Sequence, residues 1–397
     1  MESFATRAVH AGRADLTDLG VHAPPIDLST TNPLSSIEAG RDAYDAYASG
    51  EPRADGMTAL YRRAWNPTVA RFEEAMADLE TFTSAPADQV TPVTAEGVAF
   101  ASGMAATTAV LMSRVAAGLP HVVAVRPLYG GTDALLASGL LGTEVTFAGP
   151  EGLSAALTER TGLIVLESPS NPTLDLRDIQ AISRVAGDIP VMVDSTFATP
   201  FLQRPLTLGA SFVVHSATKY IGGHGDAMGG VVVTTPEFAR QLRPIRTVTG
   251  GVMDPFTAYL LLRGLATLPV RMRAMQVGAQ TLAEWLTHQD GIYRVFYPGL
   301  PGQDPQGLIG TQMDGSGAMV AFDVGTFAAA ARLCSRLKLI THAVSLGSTD
   351  TLIEHPAALT HRVVEEGAQP GEGILRISVG LEDPADLTAD IGQALQR

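Results

Sequence analysis

Between residues 63 and about 255, short β-branched or apolar runs recur: Val122–Val125, Glu144–Phe147, Leu163–Leu166, Val191–Val193, Phe212–Val214 and Val231–Val233. Runs of this length with little alternation predict strands buried on both faces. Most of the gaps between them carry apolar residues at helical spacing, as in Met104–Ala117 and Leu176–Val185. Such alternation predicts βαβ units: an α/β fold with a mostly parallel sheet and helices on both faces. In sheets of this kind ligands gather beyond the C-terminal strand ends.

The pattern changes on either side. Residues 1–62 show little periodicity and are interrupted by Pro24, Pro25, Pro33 and Pro52, which predicts an irregular arm lying on another surface. From residue 256 a long helical pattern, Phe256–Leu286, carries Leu260, Leu261, Leu265 and Leu268, with a kink or break expected at Pro269. A strand at Ala318–Val324, a helix at Phe327–Leu337, a strand at Ile374–Val379 and a helix at Ala385–Gln396 complete a smaller α+β part. The predicted division is an arm (1–62), an α/β domain (63–255) and a C-terminal domain (256–397).

Composition narrows the function. The 397 residues are 46% hydrophobic and 17% charged, enough for two or three domains and incompatible with disorder along the whole chain. The net charge of −14 argues against nucleic acid or an anionic membrane as partner. The single cysteine, Cys334, excludes a disulfide framework and reads as a small buried residue on a helix. The first residues lack the apolar stretch of a secretory leader, so a soluble cytoplasmic protein is expected. Of the 27 basic residues only Lys219 and Lys338 are lysines, so amine chemistry has two candidates.

Lys219 follows the run Phe212–Val214 and precedes the glycine turn Gly222-Gly223-His224-Gly225, just beyond a buried strand. An amine held there is partly desolvated and a better nucleophile toward carbonyls. Two neighbouring runs end in Asp194 and Glu167. Two acids and a lysine at one end of successive strands form an active-site pattern, with Asp194 placed to pair with a cationic ring nitrogen. Glu167 reads as structural or as a partner behind the site. Ser102-Gly103-Met104 opens an Ala-rich helix whose free N–H groups suit an anion. His215 and His224, like His355 and His361, lack metal-ligand spacing, and no metal is expected.

Together these residues resemble the Cys/Met-metabolism family of pyridoxal-phosphate enzymes, the transsulfuration enzymes, over nearly the whole chain. The resemblance rests on Tyr61-Arg62-Arg63-Ala64-Trp65-Asn66-Pro67-Thr68, Ser102-Gly103-Met104-Ala105-Ala106, Tyr129-Gly130, Glu167-Ser168-Pro169-Ser170-Asn171-Pro172-Thr173, Asp194-Ser195-Thr196-Phe197-Ala198-Thr199-Pro200, Ser216-Ala217-Thr218-Lys219-Tyr220, and Ser345-Leu346-Gly347 with Arg376-Ile377-Ser378-Val379-Gly380. It implies fold type I, aspartate-aminotransferase-like, with a sheet of the seven-stranded type. It also implies that Lys219 would hold pyridoxal 5'-phosphate (PLP) covalently and shuttle protons, with Asp194 at the ring nitrogen and Tyr129 stacked on the ring as acid or base. Gly103, Met104, Ser216 and Thr218 would bind the phosphate, and Asn171 and Thr196 the rest of the cofactor. Tyr61 and Arg63 would reach the phosphate of a neighbouring subunit, in a tetramer built from two dimers. Arg376 and Ser345 would clamp the substrate carboxylate.

The branch of the family is less sharply marked. Cystathionine-handling members often carry a Glu directly before the motif serine and another before the motif tyrosine, where this chain has Val344 and Leu60. Apolar residues at those positions favour a small apolar sulfur substrate, because a distal ammonium would stand unpaired. Methionine γ-lyases commonly have a Cys where Gly131 stands, and Ser195 replaces the more usual Asn. Elimination on a sulfur amino acid is expected. Replacement on an activated homoserine and cystathionine cleavage stay open, as does a PLP-fold scaffold without turnover.

Overall fold

The computed structural model describes residues 2–53, 57, 59–83 and 93–396. Three helices come first: α1 (Phe4–His10), α2 (Ile37–Ala48) and α3 (Pro67–Glu80). Then follow β1 (Glu96–Phe100), α4 (Gly103–Ala116), β2 (His121–Val125), α5 (Gly130–Ala137), β3 (Glu144–Ala148) and α6 (Leu153–Ala156). The next stretch holds β4 (Thr161–Glu167), α7 (Ile179–Ala186), β5 (Val191–Asp194), α8 (Thr199–Leu202), β6 (Phe212–Ser216), β7 (Gly230–Thr234) and α9 (Pro236–Thr249). These strands form one sheet in the order β1-β7-β6-β5-β4-β2-β3.

Only β7 runs against its neighbours β1 and β6; the other pairings are parallel. Because β1 and β6 both oppose β7, β1 runs with β6. The C-terminal ends of β1, β2, β4, β5 and β6 therefore share one edge. Alternate residues of each strand serve opposite faces. Val122, Ala124, Leu163 and Val165 pack beneath α4, whereas Val123, Val125, Ile164 and Leu166 pack with α7. That two-sided burial is the reason the runs read as continuous.

The helix α10 (Pro255–Leu286) links the two halves. Its stripe Leu261, Leu265, Leu268, Met272, Met275, Ala279, Leu282 and Leu286 is fully buried. The first part of the stripe packs with α1, α3 and the sheet, the last part with a second sheet. Of the kink or break expected at Pro269, the break is absent: the helix runs through it. A mid-helix proline costs about 3 kcal/mol, while each fully buried Leu or Met contributes roughly 1.5–3 kcal/mol. The stripe outweighs the proline.

The second sheet consists of β8 (Arg294–Phe296), β9 (Met319–Asp323), β10 (Thr341–His342), β11 (Leu352–Glu354) and β12 (Ile374–Ser378), in the order β10-β11-β12-β9-β8. It is covered by α11 (Phe327–Arg336) and α12 (Pro384–Leu395).

Three sequence expectations need correction. Residues 1–62 are not wholly irregular, since α1 and α2 lie there and α1 seats Phe4 and Ala8 in the main core. A seven-residue helix is too short to display a period. Strand β1 was not foreseen because Gly97 breaks its apolar run; a side chain there would collide with the Glu73 carbonyl. Helix α7 starts at Ile179 rather than Leu176, because Asp178 caps it by accepting from Ala181 N at 2.7 Å. Among the described residues no helix is long and apolar enough to cross a membrane.

Candidate active site

At the shared strand edge lies a cavity of 520 Å³. It collects Gly103, Met104, Tyr129, Asn171, Asp194, Thr196, Ser216, Thr218, Lys219, Val344, Ser345 and Arg376, all of the cavity residues foreseen from sequence. Tyr61 and Arg63 are not among them. Both are exposed on the outer surface, where Arg63 Nη1 donates to the Thr247 carbonyl at 2.8 Å.

One end of the cavity is built for an anion. Ser102 caps α4 by accepting from Ala105 N at 3.1 Å, and the N–H groups of Gly103 and Met104 ahead of it have no intrahelical partner. Gly103 lies so close to β6 that an added Cβ would meet Ser216 Cβ at 2.8 Å. Ser216 N donates to Thr196 Oγ1 at 2.9 Å, and Thr218 Oγ1 bonds to the backbone of Gly229.

At the sheet edge Asp194 and Glu167 are in register on adjacent strands. Burial raises the pKa of Asp194, against the pull of hydrogen bonds from Thr196 and the charge of His215. A buried carboxylate in this position calls for a cationic partner. His215 itself points to the opposite face of β6, where Nε2 bonds to Glu80 Oε1 at 2.5 Å and both side chains are fully enclosed.

Lys219 Nζ donates to Ser345 Oγ at 2.7 Å. Burial first, then Arg376, lower its pKa from 10.5 to about 8. Ser345 has φ +96°, a left-handed backbone unusual for serine. Gly347, two residues on, lies against the Lys219–Tyr220 backbone, where a Cβ would meet Tyr220 N at 2.5 Å. The loop from the second sheet thus buttresses the lysine.

Arg376 is 3% exposed. Its Nη1 donates to Asn171 Oδ1 at 2.8 Å, and its Nη2 reaches Ser345 O at 3.3 Å and Glu354 Oε1 at 3.0 Å. Among the described residues its buried Nε has no partner, a donor left for a ligand. Glu354 was not foreseen. It stands opposite Arg376 because β11 and β12 pair in that register, and sequence spacing carries no signal of it. His361, Leu359 and Thr360, from the segment after β11, were also missed as cavity neighbours. Leu359 and Thr360 line the cavity, and His361 Nε2 donates to the Asn171 carbonyl at 3.3 Å.

The donor set fits PLP. The α4 turn with Ser216 and Thr218 suits a phosphate, Asp194 suits a protonated ring nitrogen, and Lys219 suits the aldehyde. The contact between Gly103 and Ser216 leaves a cradle that a Cβ would disturb. Among the described residues no cluster of three His, Cys, Asp or Glu side chains could hold a metal.

The chain is 52% identical over 391 residues to the L-methionine gamma-lyase of Brevibacterium aurantiacum, covering 98% of this chain and 93% of that protein. Among solved structures, a cystathionine gamma synthase from Xanthomonas oryzae pv. oryzae superposes with a TM-score of 0.86 at 33% identity, covering 100% of this chain and 98% of that one. A methionine gamma lyase from Micromonospora echinospora gives 0.81 at 36% identity, with 99% of each chain covered. These likenesses fit the fold type I architecture described above. The family of Cys/Met metabolism PLP-dependent enzymes matches residues 5–396, and the chain belongs to it.

Proposed function

We propose that this protein is a PLP-dependent carbon–sulfur lyase acting on methionine or a closely similar sulfur amino acid by γ-elimination. Methionine and one water then give 2-oxobutanoate, ammonia and methanethiol. One observation carries the substrate reading. Of the described residues lining the cavity only Glu167 and Asp194 are acidic, and both sit at the sheet edge. The lining instead includes the apolar side chains of Met228, Val344, Leu346 and Leu359. A distal ammonium such as that of cystathionine would find no counter-charge there. The name carried by relatives of about half identity supports the same reading.

Bound PLP supplies an electron sink that labilises the Cα and Cβ hydrogens of an attached amino acid. Arg376, with Nε free and its Nη atoms held by Asn171 and Glu354, grips the substrate carboxylate. The amine of Lys219, with a pKa near 8, accepts the Cα proton and returns protons during turnover. Burial, then the nearby Glu354, raises the pKa of Tyr129, so its phenol keeps a proton for the departing sulfur.

We also propose that two copies share each site, with Tyr61 and Arg63 of one reaching the phosphate cradle of the other, and that dimers pair into a tetramer in the cytoplasm. The exposure of both residues outside their own cavity supports this. The start of α10 at Pro255 supports a boundary near residue 256, and, since α1 packs on its own chain, the proposed reach is that of the part of the arm that follows it.

The test is an incubation of purified protein and PLP with methionine, homocysteine, cysteine, cystathionine, and O-acetylhomoserine plus a thiol. Methionine should yield equimolar oxo acid, ammonia and thiol. The alternative is replacement, in keeping with the structural likeness to a cystathionine gamma synthase. Thioether formation from O-acetylhomoserine as the sole reaction would establish it. A protein that turns over none of these and shows no cofactor absorbance would be a scaffold.

A further inference from the structure

Glu167 ends β4 and is 6% exposed. Among the described residues its carboxylate accepts two hydrogen bonds, both from backbone. Oε1 accepts from Tyr129 N at 2.5 Å and Oε2 from Asn171 N at 3.3 Å. The two donors lie on different loops, one after β2 and one after β4. Both residues line the cavity, and Asn171 Oδ1 in turn holds Arg376 Nη1. One buried carboxylate therefore ties together the loop of Tyr129, the loop of Asn171 and, through Asn171, the guanidinium of Arg376.

A carboxylate is a costly choice for mere filling. Burial and the charge of Asp194 push the pKa of Glu167 well up, and the two N–H groups work against that rise. What the carboxylate offers is two acceptor oxygens for two N–H donors. A glutamine of the same shape has one acceptor and turns an NH2 toward the second donor.

We propose that Glu167 is a positioning residue that fixes the Tyr129 phenol relative to the carboxylate grip of Arg376 and Asn171. This rests on the lyase reading above, in which the phenol serves the sulfur while the grip holds the other end of the same substrate. A small error in that separation lowers the rate steeply.

The test compares Glu167→Gln, Tyr129→Phe and the double variant as holoenzymes with methionine. It adds visible circular dichroism of the bound cofactor and PLP affinity by titration of the apoprotein. Thermal melting verifies folding, and Glu167→Asp takes the place of Glu167→Gln if the latter does not fold. Glu167→Gln should lower kcat/KM by on the order of tenfold or more and change the cofactor's circular dichroism. Because Tyr129→Phe removes the hydroxyl that Glu167 places, the double variant should fall short of the product of the single effects by about threefold or more. Multiplicative effects would overturn the proposal. A wild type inert toward methionine would overturn the lyase reading instead. In that case unchanged dichroism and cofactor affinity in Glu167→Gln would overturn the positioning role separately.

Discussion

Burial and the neighbouring Arg376 bring Lys219 to a pKa of about 8, whereas Lys338 stands exposed after α11. The sequence separates these two lysines because Lys219 follows a strand that every residue marks as buried, a local signal. His361 has no such signal. It lies 190 residues from Asn171, the partner whose carbonyl it bonds. Burial first, then Arg376, lower its pKa from 6.5 to about 4. Below pH 6.5 the unfolded chain takes up a proton that the native site refuses, so stability falls as pH drops from 6.5 toward 4. The loss attributable to His361 between pH 7 and 5 is about 2 kcal/mol. Denaturant titrations of wild type and His361→Gln at both pH values should show that the variant loses less by roughly this amount.

Elements differ in how much of their role is local. The cap of α4 is legible, since a Ser-Gly pair before an Ala-rich run specifies both a helix start and free N–H groups. That the cap faces β6 is not legible, because it depends on β7 threading between β1 and β6 in the sheet. The close approach gives a prediction. In Gly103→Ala the new methyl meets Ser216, so apoprotein titration should show PLP affinity weaker by on the order of tenfold, a loss of about 1.4 kcal/mol. Thermal melting without cofactor measures the share of this loss that comes from the clash with β6 itself. Strands β11 and β12 illustrate the opposite limit. Neither run reveals that Glu354 stands across from Arg376.

At the scale of the whole molecule, a site shared between subunits has a direct signature. Lys219→Ala and Arg63→Ala should each be nearly inactive yet folded. Mixed by refolding, half of random dimers carry one copy of each, and in those one of the two sites has both residues intact. Recovery of about a quarter of wild-type methionine turnover is expected; recovery near zero would show that each chain completes its own site. The same scale separates what the chain alone determined from what folding decided. Strand runs, the α4 cap, the lysine and the acids at strand ends were fixed locally, because periodic burial and end residues are properties of a few neighbours. The continuity of α10 through Pro269, the pairing of Glu354 with Arg376, and the reach of Glu167 to two loops were decided only in three dimensions. Those depend on which distant surfaces exclude water together, and no short stretch of sequence contains that information.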